Sequence, residues 1–504
     1  MSQARVAPSQ RPRTPSVHAT LAANGLGLGG VLSAAGAAIA PAVVVAGLIS
    51  TGYVVTGVTG FPIALLAVAL VLALFVPGYT AAATRIRNAG AFYTYVARGL
   101  GAPAGVAAAG VAIPAYAAMS VATYGAIGYV GSSILVDKLG VPVSWWIVAL
   151  AAWLVVTILS ALRISISGRV LGTTLLAEVI VVLAADVVNL AHPYQGRVTV
   201  DAWDPSTLSG HWGVALAIAA TAFVGFEAAA AFAEETRGTK TVPVATTLAL
   251  LGAFAVYALS GWAMAVTTGS FNLQVAAVEH GPDLPFVTAA EHLGSNLIID
   301  VGRLLFVTSL FAAALAYHNP VSRYLFALGR ESVLPAWLGR TSPRTSAPIN
   351  ASIVQSLVGL VVIITYAVAD ADPLVQLFFW GGTVGGLGVL LLVTATSVSV
   401  IGILGRDPFD TPLPVRTFLP GLAALLLGWM SWLIIDNLTG LLGVASNSPL
   451  RWMVPCAYAV LALAGLAWAG YLRRQRPDTY DVIGLDANPH LHHGPSPSTP
   501  ARSF

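Results

Sequence analysis

Three acidic residues lie inside long apolar runs: Glu178 and Asp186 within 170–191, and Glu227 within 212–233. An acid at the centre of a bilayer costs about 2.5–3.5 kcal/mol to insert, so each is a functional candidate by default. Away from water a carboxyl favours its neutral form, which suits Glu178 and Glu227 to taking up and releasing a proton as solvent access changes. Each also has a plainer reading. Glu178 could brace its helix against the first apolar run, and Glu227 could be a protonated acid bonded to nearby backbone. Asp186 lies towards the outer end of its run, where it is expected to meet water.

Two apolar runs are interrupted. The run 28–50 contains Gly36-Ala37-Ala38-Ile39-Ala40-Pro41; Pro41 has no N–H to donate and clashes with the preceding turn, and Gly36 is conformationally permissive. The run 212–233 contains Phe223-Val224-Gly225-Phe226-Glu227. Lipid leaves freed backbone groups unsatisfied, so a break survives only against protein or a water-filled cavity. Broken helices at the midplane are the usual substrate site of secondary transporters. For a zwitterionic amino acid, N–H groups freed at Gly36, Ala37, Ala38 and Ile39 would meet the carboxylate. Carbonyls freed at Phe223, Val224 and Gly225 would accept from the ammonium, with Phe223 and Phe226 as a cover. The plainer reading is a kink, since Pro and Gly commonly only bend a helix. Tyr116 and Tyr124, eight residues apart on one helix face, could line the same cavity or simply pack helices. Thr308-Ser309 could offer sodium two hydroxyls or bond back to its own helix.

The elements that position these residues follow from composition. Of the 504 residues 57% are hydrophobic and 9% charged, against about 25% charged in a soluble domain. The expected fold is therefore an all-α polytopic membrane protein. Twelve apolar windows are long enough to span a bilayer: 28–50, 61–83, 104–134, 143–161, 170–191, 212–233, 244–268, 298–318, 349–368, 374–402, 417–438 and 452–472. The two longest are expected to tilt or to include an interfacial turn. Residues 21–475 form the membrane domain, with disordered cytoplasmic tails at 1–20 and 476–504. Of the 24 Lys and Arg, all but Lys138, Arg197, Arg303 and Arg451 fall on one side of this arrangement. That side is cytoplasmic and carries both termini, with the chain in the plasma (inner) membrane. A broken helix, an unbroken one and an amphipathic connection occur in that order twice, with the connections at 84–103 and 269–297 on opposite faces. This suggests an inverted five-helix repeat, 28–191 and 212–402, followed by two added helices over 417–472.

Four segments, in order, resemble the amino acid–polyamine–organocation superfamily of transporters. They are Asn88-Ala89-Gly90-Ala91-Phe92-Tyr93-Thr94-Tyr95-Val96; Phe223 to Glu227; Glu234-Glu235-Thr236-Arg237 leading to Val242-Pro243; and His318-Asn319 through Arg323 to Arg330 and Leu334-Pro335. The resemblance implies the ten-helix inverted repeat of the sodium-coupled leucine transporter plus two helices. It also implies transport of amino acids or related amines by alternating access, with Glu227 where a glutamate links protonation to gating and Thr308-Ser309 where a sodium site would lie. The chain departs from the pattern in two places. The first break lacks the Gly-Ser or Gly-Thr-Gly type common in the permeases. The fifth helix lacks the lysine that replaces sodium in some members, since the only lysines are Lys138 and Lys240.

The expected partners are an amino acid or amine, a coupling ion (proton preferred over sodium) and the lipid bilayer, with no nucleic acid, no cofactor and no metal site. Sodium coupling or uncoupled exchange is the alternative. No His falls deep in the expected spans and the buried acids lack Cys or His partners, so a membrane-embedded enzyme is disfavoured. The histidines at 490, 492 and 493 lie in the tail without a second ligand cluster, and the single Cys456 excludes an intrachain disulfide.

Overall fold

The computed structural model describes residue 21 and residues 24–162, 164–208, 210–408 and 411–485, without the side chains of 164–167. The expected tail at 1–20 and residues 486–504 of the tail expected at 476–504, with the three tail histidines, lie outside the described residues. Among the described residues twelve apolar helical spans follow the order of the hydropathy windows. The first six are Leu28–Thr56, Phe61–Arg85, Ala102–Leu139, Trp145–Ala161, Ile164–Ala191 and Trp212–Glu235. The second six are Thr241–Thr268, Leu297–Arg330, Ile349–Val368, Pro373–Arg406, Pro414–Asp436 and Leu450–Gln475. Eleven are long and apolar enough to cross a membrane, and the fourth has 17 residues, about 26 Å of helix. Among the described residues no strand forms beyond one isolated bridge between Leu26 and Thr236.

Two lengths differ from the sequence reading. The third span is one 38-residue helix running through Pro114, about 57 Å long, so of the two arrangements expected for it, tilt or an interfacial turn, the turn does not form. The eighth continues twelve residues past 318, to Arg330. Its polar residues His318, Asn319 and Arg323 stop a hydropathy window, yet all three are buried in protein.

Consecutive spans alternate in direction, so Leu28 and Gln475 begin and end on one face, called inner below. Contacts between span ends respect this alternation. Lys138 pairs with Asp300 at 2.7 Å and Arg303 with Asp283 at 2.7 Å on the outer face. Arg98 donates to the Gly484 carbonyl at 2.9 Å on the inner one. The first and sixth spans are the most enclosed, with 83% of their apolar windows buried against 17% for the twelfth. The broken helices thus occupy the centre of the bundle. Lateral helices follow the second and seventh spans on opposite faces, Ala91–Leu100 inside and Leu273–His280 with Leu284–Leu293 outside. Residues 477–485 do not continue into a loose tail. Pro477–Asp481 is a short helix, and Val482 and Ile483 are buried.

Candidate functional site

The first span is α-helical from Leu28 to Ile39, then turns through Ala40 in the left-handed region (φ 50°) and resumes at Pro41. Pro41 sits where a new helix needs no N–H, so the residue that breaks one half opens the other. The amide of Ala40 still reaches the Gly36 carbonyl at 3.0 Å, so Gly36, Ala37, Ala38 and Ile39 remain helical. The groups that the break releases are carbonyls, and two tyrosines meet them. Tyr257 donates to the Ile39 carbonyl at 2.9 Å and Tyr317 donates to that of Ala38. On the far side of the break, the Ala42 amide approaches the carboxylate of Glu178, which also accepts from Ser309 Oγ at 2.7 Å. Glu178 therefore sits at the N-terminal end of the outer half-helix, within reach of its first amides.

The sixth span is α-helical to Ala222, turns through Gly225 (φ 116°) and continues as a 3₁₀ helix from Phe226 to Glu235. Only glycine tolerates this φ, and a Cβ at Gly225 would lie 2.6 Å from the Ala38 carbonyl carbon. The two breaks are thus in backbone contact. Tyr317 spans them, its hydroxyl also lying 3.3 Å from the Val224 carbonyl. Glu227 is buried and engaged through both oxygens, accepting from Tyr116 at 2.6 Å and from the Gly225 amide at 2.9 Å. The Phe223 and Gly225 carbonyls accept from the amides of Phe226 and Ala228.

A cavity of about 90 Å³ lies beside the breaks, in the outer half of the bundle. The first span contributes Ile39, Ala40, Val43, Val44 and Leu48, and the sixth Thr221, Ala222 and Val224. Met119, Ala122 and Thr123 line it from the third span, Leu310, Ala313 and Tyr317 from the eighth, and Phe378, Phe379, Gly382 and Thr383 from the tenth. No charged side chain lines it among the described residues. A dry apolar cavity of roughly 150 Å³ accommodates benzene, so this one fits a short aliphatic group.

Of the sequence-derived binding candidates, Ile39 and Val224 line this cavity. Gly36 instead abuts the Leu175 side chain of the fifth span. Phe223 packs edge-on to Tyr257 at 5.6 Å, and Phe226 edge-on to Phe75 at 6.1 Å. Tyr116 belongs to the Glu227 contact, and Tyr124 lies against the ninth span at Gly359. Thr308 bonds back to the Leu305 carbonyl at 3.1 Å, and Ser309 serves Glu178. Asp186, expected to meet water, is only 1% exposed.

Sequence reasoning missed the aromatic wall of the tenth span and the inner seal. Arg323 pairs with Glu235 at 2.6 Å with both side chains 3% exposed, and Arg330 pairs with Glu234 at 2.7 Å. The inner ends of the first and sixth spans are stitched by backbone bonds, Leu26 N–H to the Glu235 carbonyl and Arg237 N–H to that of Leu26, each 2.9 Å. His318, held to lie at the end of a span, is buried mid-helix with Nε2 2.9 Å from Ser352 Oγ. The signal was Glu234-Glu235 recurring opposite Arg323 and Arg330 in the segments that carried the resemblance. Among the described residues no cluster of three His, Cys, Asp or Glu could hold a metal.

Comparison with known proteins gives a consistent result. The sequence profile of the family described as "Amino acid permease" matches residues 30–462. The branched-chain amino acid permease BcaP of Bacillus subtilis is 28% identical over 305 residues, 56% of this chain and 60% of that protein. BcaP of Lactococcus lactis is 26% identical over 289 residues, 53% and 59% respectively. Cationic amino acid transporter 1 of Arabidopsis thaliana is 30% identical over 139 residues, 27% and 22%. The chain thus spans at most about three-fifths of the length of these curated relatives.

Proposed function

The chain belongs to the amino acid permease family, and from that premise we infer that it carries neutral aliphatic amino acids across the plasma membrane by alternating access, coupled to protons. The observation that supports this substrate class is the cavity lining. It is aliphatic and aromatic with three threonines and one tyrosine, so a cationic side chain entering it would lie desolvated without a counter-charge. Among the names borne by relatives, the lining favours branched-chain over cationic substrates. The amino and carboxyl groups would lie at Ile39–Ala40 and Val224, where both backbones turn and Tyr317 bridges them.

Glu178 and Glu227 carry the coupling in this reading. Each is wired to a break and to a neighbouring span, Glu178 to Ala42 and to Ser309 of the eighth span, Glu227 to Gly225 and to Tyr116 of the third. A change of charge at either alters how its break is held. The Thr308-Ser309 hydroxyls are already engaged, which favours protons over sodium. Alternation follows from the inner stitching of the first and sixth spans: the cavity opens outward while that seal holds and inward when it parts. We read the two sets of five spans, 28–191 and 212–402, as the inverted repeats that rock against each other, with the termini cytoplasmic.

The test is uptake by the purified protein in proteoliposomes. Leucine counterflow is expected to be inhibited by isoleucine and valine but not by arginine, lysine or putrescine, and an inward proton gradient is expected to drive accumulation without sodium. Inhibition by arginine at similar concentrations would overturn the substrate class. Sodium-dependent accumulation insensitive to a proton ionophore would overturn the coupling.

A further inference from the structure

Polar side chains run along one face of the fifth span, from its outer end to its middle: His192 just beyond the helix, then Asn189, Asp186 and Glu178. At 100° per residue they fall within an arc of roughly 120°. At the surface the rings of His192 and His292 stack 4.4 Å apart. One turn deeper, Thr288 donates to Asn189 Oδ1 at 3.0 Å, and Asn189 donates to the Pro285 carbonyl at 3.1 Å. Below that, Asp186 accepts from Ser260 Oγ at 2.7 Å through Oδ2, while its buried Oδ1 has no hydrogen-bond partner among the described residues. Glu178 closes the series at the break.

No cation faces Asp186 from the described elements packed on the fifth span. The first span brings only Tyr53, committed to the Gly261 carbonyl, and the seventh only Tyr257, committed to that of Ile39. The eighth carries no charged residue between Arg303 and His318, and Arg303 pairs with Asp283. Helix Leu284–Leu293 brings Glu291, which is exposed, and His292; the fourth span brings no titratable group. A buried carboxyl with one hydroxyl partner and an orphan oxygen is an expensive thing to keep for packing alone. It also lies apart from the substrate cavity, which it does not line.

On the reading of Glu178 as a coupling carboxyl, we propose that Asp186 is the relay by which protons reach Glu178 from the outer face, past His192–His292 and Asn189–Thr288, along a route separate from the substrate path. The step is a proton transfer without redox change. The O–H bond at Asp186 breaks, leaving its electron pair on the carboxylate, and an O–H bond forms at Glu178. The two residues are about 12 Å apart along the helix, so the relay requires water to enter between them as the carrier. The outer solution, by way of the imidazoles, then reprotonates Asp186.

The experiment compares gradient-driven accumulation with counterflow at equal pH in proteoliposomes, for variants that remain monodisperse on gel filtration. Asp186→Asn is expected to lower accumulation at least ten-fold and counterflow no more than two-fold, and Asp186→Glu to restore at least half of the accumulation. Where Asp186→Asn does not fold, Asp186→Ser gives the same reading. Accumulation by Asp186→Asn equal to the unsubstituted protein overturns the relay, as does a parallel loss of both activities that Asp186→Glu does not rescue. Glu178→Gln separates the two readings. If it still accumulates under a proton gradient, the coupling role of Glu178 fails and the relay with it. If Glu178→Gln is blocked and Asp186→Asn is not, the relay alone fails.

Discussion

The halves of the molecule on either side of the breaks are closed by different chemistry. On the inner side, Arg323–Glu235 is buried at 3% exposure, and backbone bonds join Leu26 to the sixth span. On the outer side, aliphatic side chains and the neighbouring rings of Phe378 and Phe379, 5.2 Å apart, surround an open cavity. Ion pairs exist there too, but Lys138–Asp300 lies at 51% and 38% exposure. The same chemistry therefore carries different weight: an exposed pair contributes about 0–1 kcal/mol, whereas breaking a buried one by removing a partner costs about 3–5 kcal/mol. A directional, all-or-none seal suits a gate that must be wholly shut or wholly open. A soft apolar wall suits a pocket that adapts to side chains of differing shape.

Three tests would break or sharpen this contrast. The largest effect is expected at the inner seal. Arg323→Gln strands a buried carboxylate, a loss of about 3–5 kcal/mol, seen as a lower unfolding temperature. It also exposes a Ser322→Cys probe to thiol reagent on a Cys456→Ser background, whereas Lys138→Gln on the outer face leaves both readings nearly unchanged. Equal effects from the two would erase the distinction. An intermediate effect is expected between the halves. Tyr317→Phe leaves the Ala38 and Val224 carbonyls without their shared donor, a loss of about 1–3 kcal/mol, measured as a roughly five-fold or greater rise in the substrate concentration needed for half-maximal uptake. The smallest lies in the cavity wall. A Cβ at Gly382 meets nothing within 4 Å, so Gly382→Ala is expected to fold normally and to shift preference from leucine towards alanine by about 1 kcal/mol or less. Failure of Gly382→Ala to fold would show that the outer wall is as rigid as the inner seal.

The sequence made the scaffold readable because bilayer burial is written in runs of about twenty apolar residues, and each of the twelve windows has its helix. It also marked both breaks, since Pro41 restricts the backbone and Gly225 frees it. It did not show which groups a break exposes. At Ala40 the released carbonyls are taken by Tyr257 and Tyr317, residues more than two hundred positions away, and no local rule connects them. The acids on the fifth and sixth spans stood out by cost alone, but their partners Ser309 and Tyr116 come from other helices. The end of the eighth span was misjudged for a related reason. Hydropathy prices His318 and Arg323 as if facing lipid, while both are paired within protein.

The docking of residues 477–485 bears on the order in which the protein is made. The Gly484 amide donates to Glu331 at 2.9 Å, its carbonyl accepts from Arg98, and Tyr93 donates to the same Glu331 oxygen. A ribosome delivers Gly484 only after all twelve spans have emerged. Until then Glu331, at the inner end of the eighth span, lacks one of its donors, and the lateral helix Ala91–Leu100 lacks its clasp. A chain clipped after Gln475 would carry every span and still present an inner face without these bonds.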